Sequence, residues 1–314
     1  MYILGFDIGG TKCAAITAHW ENEKIELLER VSCPTEHCQP EEMLEKLIAL
    51  ADTILIKTPD RIGISCGGPL DSKAGIIMSP PNLPLWDNVE IVKIMKEHYG
   101  VPVILQNDAN ACAVAEWKFG AGRGKKNVVF LTFGTGLGAG LILDGHLYTG
   151  TNDNAGEVGH IRLDSFGPVG YGKAGSFEGF CSGGGIAQLG VLKAKELEQI
   201  GKYPSFYKKG MSYSEISAKT IAIAADEGDE TAIEVYKICG EHLGRGLSVI
   251  IDILNPEVIV IGSIFGRSHS LLWEHTKKMI DKEALGLSAS VCKVVPGELG
   301  EKIGDFASVA TAVI

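Results

Sequence analysis

The stretch FDIGGTKCAAIT, residues 6–17, has a design that returns later in the chain as LTFGTGLGAGLIL, residues 131–143. In both, an apolar strand leads into a glycine turn with a threonine, and a second apolar strand follows. Glycine-rich hairpins are common, so the two could be unrelated. Each one, however, opens a region where predicted strands alternate with predicted helices, which favours α/β layers. We therefore predict a duplicated α/β domain with a cleft between its halves, a preferred place for small ligands.

Length and composition agree with this interpretation. The chain has 314 residues, of which 45% are hydrophobic and 22% charged, as in globular proteins of roughly two domains. The formal net charge of -10 disfavours nucleic acids and anionic membranes as partners. The longest uncharged run, residues 127–143, is shorter than the ~20 residues of a membrane span. The start, MYILGFDIGG, lacks the basic region of a signal peptide.

The eight cysteines are scattered and include no C-x-x-C pair. This spacing is typical of reduced thiols in a cytoplasmic protein. It predicts neither a disulfide framework nor a zinc cluster local in sequence.

The two glycine turns are candidate phosphate sites. Glycines let backbone amides approach phosphate oxygens, and a threonine hydroxyl adds a donor. The residues concerned are Gly9, Gly10, Thr11 and Lys12 in the first turn, and Gly134, Thr135 and Gly136 in the second. Asp7, just before the first turn, could hold hydrated Mg²⁺, or it could simply cap a tight turn.

Asp108 lies between a predicted strand and a predicted helix, within the run NDAN at residues 107–110. A helix N-cap is the commoner role for such a residue. The alternative is a general base, because strand ends in α/β folds face the ligand crevice. A carboxylate there can take a proton from a substrate hydroxyl in phosphoryl transfer. The residues alone leave both roles open.

Glu157 and His160 offer a carboxylate and an imidazole three residues apart. They could be an ordinary surface pair. In an extended segment they would point to opposite faces. The neighbouring Gly156 and Gly159 allow a bend that would bring both side chains to one ligand.

The stretch GPVGYGKA, residues 167–174, approaches a Walker A phosphate loop without matching it. That motif needs a Ser or Thr after the Lys to bind Mg²⁺, and position 174 is alanine. It also needs a helix directly afterwards, whose first amides bind phosphate. The next residues, GSFEG, begin a helix poorly, so we expect another role for this loop.

Together these motifs resemble one known family over nearly the whole chain. They are DIGGTK at 7–12, NDAN at 107–110, GTGLGAG at 134–140, AGEVGH at 155–160 and NPEVIVIG at 255–262. The chain is similar to sugar kinases of the ROK family (repressors, open reading frames, kinases), in the actin-like ATPase superfamily. The resemblance implies two α/β lobes of actin-like, ribonuclease H-like fold with a cleft between them. We place them at residues 1–110, joined by a C-terminal helix at 303–314, and at residues 111–302.

The resemblance also implies roles at matching positions. Asp108 would be the base that activates the 6-hydroxyl of a hexose. The sugar-binding residues would be Gly68, Asn82, Asn107, Asp108, Glu157, His160 and Glu178. ATP would bind the two glycine turns, with Mg²⁺ near Asp7, and Gly262 would lie near the adenosine. Family members usually have a second glycine after that position, where this chain has Ser263.

The resemblance also implies that GPVGYGKA corresponds to the family's zinc loop. Family members carry a histidine and three cysteines there. This chain keeps His160, but the three cysteine positions in register are Val169, Tyr171 and Ser176. A structural zinc site usually needs four Cys or His ligands, so we expect no structural zinc. The residues expected to order the loop instead are Pro168, Tyr171 and Phe177.

The function implied by the resemblance is ATP-dependent phosphorylation of a hexose, with glucose as the first candidate. The alternatives are N-acetylmannosamine, N-acetylglucosamine and fructose. A sugar-responsive ROK repressor is disfavoured, because those proteins carry a DNA-binding domain before the first hairpin and here a strand is predicted from Tyr2. The expected partners are therefore the sugar and ATP, without nucleic acid or membrane, and a homodimer is a family expectation.

Overall fold

The structure is a computed structural model that describes residues 1–36 and 38–314. Its strands are β1 (Tyr2–Ile8), β2 (Lys12–Glu21), β3 (Lys24–Pro34), β4 (Arg61–Cys66), β5 (Leu70–Asp71), β6 (Ile76–Ile77), β7 (Val103–Asn107), β8 (Val128–Phe133), β9 (Leu137–Leu143), β10 (His146–Tyr148), β11 (Val169–Gly170), β12 (Lys173–Ala174), β13 (Val258–Ile261) and β14 (Lys293–Pro296). Its α-helices are α1 (Pro40–Asp52), α2 (Ile91–Tyr99), α3 (Asp108–Phe119), α4 (Phe177–Phe180), α5 (Gly183–Glu198), α6 (Ala218–Asp226), α7 (Glu230–Leu254), α8 (Ile264–Arg267), α9 (His269–Glu283), α10 (Gly286–Val291) and α11 (Ile303–Thr311). Among the helices of these two ranges, none has the length and apolar character needed to span a membrane.

Two five-stranded sheets have the same strand order. The first is ordered β3-β2-β1-β4-β7 and the second β10-β9-β8-β13-β14. In the first sheet, β1 pairs antiparallel with β2 and parallel with β4. The two predicted glycine turns join β1 to β2 and β8 to β9, so they occupy equivalent positions in the two sheets. This equivalence is what a duplicated α/β fold requires.

Side chains of β1 alternate between two helical layers, as the pleat of a strand dictates. Leu4, Phe6 and Ile8 belong to a buried cluster that includes residues of α1 and α2. The other face of the strand lies against α11. A side chain on Gly5 would come within 2.7 Å of a methyl group of Val309 in that helix. Glycine is therefore needed at this position for α11 to pack directly on the sheet.

The chain divides into two compact units. Unit 1 comprises Met1–Phe130, Gly140–Ala155 and Glu298–Ile314, and unit 2 comprises Leu131–Ala139 and Gly156–Gly297. The lobe boundaries predicted at residues 110 and 302 remain a prediction.

A buried carboxylate ties two parts of unit 1 together. Glu116, near the end of α3, accepts backbone N–H bonds from Ala121 at 2.8 Å, Leu299 at 3.0 Å and Glu298 at 3.2 Å. These charge-assisted bonds satisfy a group that would be costly to bury alone. They connect α3, whose first residue is Asp108, to the segment that leads into α11.

Residues 213–226 contain a 3₁₀ turn and a separate helix. The sequence pattern predicts one helix over this range, but only a 3₁₀ turn occupies Tyr213–Glu215. The helix α6 starts afresh after Ser217, whose hydroxyl accepts the N–H of Thr220 at 3.2 Å. A serine that caps a helix cannot also continue the preceding one, because its own backbone is extended.

Candidate active site

The first glycine turn, in unit 1, is held by hydrogen bonds from a threonine outside the turn. The N–H of Gly9 donates to the carbonyl of Lys12 at 3.1 Å, which closes the turn. The Thr35 hydroxyl donates to the Gly9 carbonyl at 2.6 Å, and the Thr35 N–H donates to the Thr11 carbonyl at 2.9 Å. Sequence reasoning missed Thr35. The available signal was its place after β3, which pairs with β2 beside the turn.

Predicted sugar and phosphate residues of unit 1 lie in contact. A side chain on Gly10 would collide with Asn82, whose carbonyl oxygen would lie 2.9 Å away. Similarly, a side chain on Gly68 would lie 2.9 Å from Nδ2 of Asn107. Both glycines are therefore places where a polar side chain approaches the backbone closely.

The ionised form of the Asp7 side chain is disfavoured by its surroundings. Burial raises its pKa to about 6, and repulsion by Asp305 and Asp108 adds to the effect, while Lys12 and Arg30 act in the opposite direction. Oδ1 of Asp305 accepts a hydrogen bond from Nε of Arg30 at 2.9 Å. The structure thus brings Asp7 and Asp108 within electrostatic reach of each other, and it adds Asp305, which sequence reasoning missed.

Asp108 is the first residue of α3, at the C-terminal end of β7, and it is exposed. The N-cap of this helix is Asn107, whose Oδ1 accepts the N–H of Ala109 at 2.9 Å. Oδ1 of Asp108 accepts the same N–H at 2.8 Å. Asn107 therefore holds the N-cap position, and Asp108 shares its hydrogen bond.

The second glycine turn, in unit 2, faces the start of a long helix. The N–H of Gly134 donates to the carbonyl of Gly136 at 3.1 Å, and Thr135 between them is exposed. The first residue of α5, Gly183, donates its N–H to the Gly134 carbonyl at 2.7 Å. The positive end of the α5 dipole therefore lies at this turn, which favours an anion there.

Glu178, on the short helix α4, is packed among glycines. Its Oε2 accepts the N–H of Leu137 at 3.0 Å, and a side chain on Gly136 would lie 2.8 Å from the same oxygen. Side chains on Gly159 and Gly170 would lie 3.2 and 2.8 Å from its Cβ. The predicted sugar residue Glu178 is thus fixed directly against the predicted phosphate turn.

Glu157 and His160 are brought together by a bend. Gly156 has a φ of 91°, and a 3₁₀ turn covers Val158–His160. Residues three apart lie on the same side of a 3₁₀ turn. Partial burial of the carboxyl group and then repulsion by Glu178 raise the pKa of Glu157, and His160 partly offsets the rise. Three predicted sugar residues therefore form one cluster in unit 2.

Gly262 and the residue after it follow β13. The N–H of Gly262 donates to the carbonyl of Leu131 in β8 at 3.0 Å. Ser263, where a second glycine was expected, adopts a φ of 53°. Ser263 therefore has a backbone conformation that is usual for glycine and uncommon for other residues.

GPVGYGKA forms a β-hairpin and has no phosphate-loop structure. Val169 of β11 pairs with Ala174 of β12. Nζ of Lys173 donates to the carbonyl of His160 at 2.7 Å, so the lysine is engaged with the backbone. The helix that follows, α4, has only four residues.

Polar contacts with Gln188 help to order this hairpin. The side chain of Gln188 donates to the Val169 carbonyl and accepts the Val169 N–H, both at 2.9 Å. Phe177 is fully buried, as predicted. The prediction that Tyr171 packs against the loop is wrong, because its side chain is 77% exposed. Tyr171 lies between the two strands of the hairpin and has a φ of 44°.

We expect the protein to keep its fold without zinc. Within residues 1–36 and 38–314, no cluster of three or more His, Cys, Asp or Glu side chains could hold a metal ion. Cys181, the nearest thiol in sequence, is buried and donates to the carbonyl of Cys239. Elemental analysis should find zinc well below one atom per chain, and a chelator should leave the melting temperature unchanged. Stoichiometric zinc, or unfolding on chelation, would contradict this prediction.

The comparison with protein families matches residues 3–311 to the ROK family. The chain belongs to the ROK family. The glucokinase of Thermotoga maritima is 31% identical over 310 residues, which cover 96% of this chain and 94% of that protein. The DNA-binding regulator NagC of Escherichia coli is 29% identical. That alignment covers 93% of this chain and 70% of NagC.

A solved ROK family glucokinase from Streptomyces griseus, crystallised with glucose and AMPPNP, aligns with a TM-score of 0.78. It is 27% identical, and the alignment covers 100% of this chain and 99% of that one. This ROK chain therefore has the actin-like α/β fold that was predicted. Its similarity to glucokinases supports a sugar kinase activity.

Proposed function

We propose that this protein transfers the γ-phosphoryl group of ATP to the 6-hydroxyl of a hexose, with glucose as the first candidate. N-acetylmannosamine, N-acetylglucosamine and fructose are the alternatives. The observation that carries the proposal is Asp108, an exposed carboxylate at a strand end whose helix is capped by another residue. The whole-chain similarity to glucokinases agrees with it.

In the proposed reaction, Asp108 accepts the proton of the sugar hydroxyl. The hydroxyl oxygen forms a bond to the γ-phosphorus, and the bond to the bridging oxygen breaks, which releases ADP. Phosphoryl transfer needs mainly such a base together with positioning and charge stabilisation of the phosphates. The two glycine turns, 9–12 and 134–136, would position the phosphates through backbone amides and the hydroxyls of Thr11 and Thr135.

The surroundings of Asp7 fit a divalent cation. Burial, and then repulsion by Asp305 and Asp108, raise its pKa to about 6, so a cation beside it would stabilise the ionised carboxylate. Carboxylate oxygens are the ligands that Mg²⁺ prefers in proteins. Asp7 would hold Mg²⁺ together with the ATP phosphates, where the cation neutralises charge that develops during transfer.

The carboxylates of Glu157 and Glu178 are proposed to accept hydrogen bonds from sugar hydroxyls. An ionised carboxylate accepts at both oxygens and can therefore bind a pair of hydroxyls. His160, Asn107, Asn82 and Gly68 are proposed to complete the sugar contacts, and Gly262 to lie near the adenosine. The protein is proposed to act in the cytoplasm, and a homodimer remains a prediction.

Sugar affinity should depend on pH through Glu157. Because its pKa is raised, Glu157 takes up a proton at a higher pH than an ordinary glutamate and then loses acceptor capacity. Affinity should be full above this pKa and should fall as the pH drops through it. Titration calorimetry with glucose between pH 4.5 and 8 measures the effect. The Glu157→Gln variant should bind more weakly with a flatter profile, and equal profiles for both proteins would contradict the role.

The reaction is tested with a panel of glucose, mannose, fructose, N-acetylglucosamine and N-acetylmannosamine. Each sugar is incubated with the protein, ATP and Mg²⁺, and ADP release is coupled to NADH oxidation. We expect one sugar to stimulate release strongly, with the 6-phosphate identified by NMR. ATP binding without stimulation by any sugar would reject the proposal. That result would favour the non-enzyme alternative, a sugar-responsive regulator. The similarity to the regulator NagC is the reason to consider this alternative.

A further inference from the structure

Tyr171 is a large aromatic residue at a position of the hairpin that usually takes a small one. It and Gly172 form the two-residue connection between β11 and β12. Their φ values are 44° and 75°, and positive φ at both central residues is the pattern of a type I′ turn. Such turns prefer Asn, Asp or Gly in the first of the two positions. The turn itself therefore does not account for a tyrosine.

Packing of the hairpin does not account for Tyr171 either. Its side chain is 77% exposed, whereas Phe177 on the helix that follows is fully buried. Family members carry a zinc-loop cysteine in register with this position, so the family assigns no role to a tyrosine here. The fold thus leaves the ring available to a ligand, to which it offers a flat apolar surface and a polar hydroxyl.

The exposed ring of Tyr171 lies beside a predicted sugar residue of the same unit. Its centroid is 6.4 Å from that of the His160 imidazole, and the planes of the two rings meet at 78°. Two hydrogen bonds hold the hairpin to this segment. Nζ of Lys173 donates to the His160 carbonyl at 2.7 Å, and the Arg162 guanidinium donates to the Ala174 carbonyl at 2.6 Å. The position of the ring relative to His160 is therefore fixed by the fold of unit 2.

The chemistry of this part of unit 2 suits a pyranose sugar. Glu157, His160 and Glu178 supply hydrogen-bonding groups for hydroxyls, and Tyr171 adds an aromatic ring whose electron-rich face attracts C–H groups. A pyranose presents both kinds of group. When its hydroxyls are all equatorial, they lie around the rim of the ring, and the axial C–H groups form two apolar faces. Glucose and N-acetylglucosamine have this configuration, whereas an axial hydroxyl or a furanose ring interrupts the apolar face.

We propose that the ring of Tyr171 stacks on the C–H face of the bound sugar and helps to select a pyranose with equatorial hydroxyls, which is glucose or N-acetylglucosamine. The inference rests on the proposed kinase function and deepens it, because it makes Tyr171 a specificity-determining residue of the sugar site.

The test uses Tyr171→Asn, which removes the ring and supplies a residue that the turn prefers. In calorimetry, the dissociation constant of glucose should rise about tenfold, the effect of losing one aromatic contact. The affinity for AMPPNP with Mg²⁺ should not change. The melting temperature should rise, because asparagine adopts a positive φ more readily than tyrosine. A loss of sugar affinity in a variant with a higher melting temperature cannot come from a damaged hairpin.

Two further variants make the test specific to the ring at this position. Tyr171→Phe keeps the ring and should bind glucose within about twofold of wild type. Phe166→Asn removes another exposed aromatic side chain of the same segment and should leave glucose affinity unchanged. Equal glucose affinity in wild type and Tyr171→Asn, or an equal loss in Phe166→Asn, would overturn the inference.

The selection among sugars is measured as kcat/KM over the same sugar panel. In Tyr171→Asn this value should fall about tenfold for glucose and N-acetylglucosamine, and much less for mannose and fructose. An equal fall for every sugar, or a wild-type preference for mannose, N-acetylmannosamine or fructose, would overturn the inference. Wild-type protein that phosphorylates no sugar would instead reject the proposed function, a result distinct from equal glucose affinity in wild type and variant.

Discussion

Replacing Asp108 by asparagine is expected to lower kcat by about 10²–10⁴-fold, the usual cost of losing a general base. The amide has the shape of the carboxylate but cannot accept the proton of the sugar hydroxyl. Asn107 still caps α3 in this variant, so the fold should be retained. Steady-state kinetics with the best sugar of the panel measure the loss, and calorimetry should show sugar affinity within about tenfold of wild type.

A matched change separates this effect from a general loss of negative charge. Asp226→Asn alters an exposed aspartate at the end of α6 and should leave kcat unchanged. If Asp108→Asn turned over at nearly the wild-type rate, Asp108 would have a helix-terminal role only, and the base would have to be another group.

Replacing Glu178 by glutamine is expected to raise the dissociation constant of the sugar about 10–100-fold, the effect of losing a hydrogen bond to a charged acceptor. Because Oε2 of Glu178 accepts the N–H of Leu137 beside the phosphate turn, nucleotide affinity should fall as well, though less. Calorimetry with glucose and with AMPPNP measures the two effects separately.

Two comparisons make this second prediction specific. Glu157→Gln should weaken sugar binding while nucleotide binding stays the same, since Glu157 makes no such bond to the turn. Glu274→Gln, an exposed position on α9, should change neither affinity. Unaltered sugar affinity in both Glu157→Gln and Glu178→Gln would mean that the sugar site lies elsewhere.

Those parts of the fold that depend on local pattern were predictable from sequence. The strand predicted from Tyr2 is present as Tyr2–Ile8, because its apolar run leads directly into a glycine turn. The repeated hairpin predicted a duplicated α/β fold, which two sheets of equal strand order and the family match confirm. Hydrophobic period and glycine turns are local signals, so a single sequence carries them.

The supports of the candidate site were not predictable, because they come from distant parts of the chain. Thr35 holds the turn at Gly9 from 26 residues away, and Asp305 influences Asp7 from the other end of the sequence. Tyr171 was wrongly expected to pack, since an aromatic residue in a loop has no periodic pattern that reveals its direction. The conformation of Ser263 was equally hidden, because glycine would be the residue to expect at its φ and ψ.

The position of α11 in the sequence affects when unit 1 can fold during translation. Unit 1 begins at Met1, yet its sheet is covered on one face by α11, near residue 311. Domains generally fold as they leave the ribosome, N-terminal parts first. Here the apolar face around Ile3 and Ile16, which packs with Val309, stays uncovered until α11 has been translated. Nascent chains that stop before α11 should therefore be the ones that depend most on chaperones.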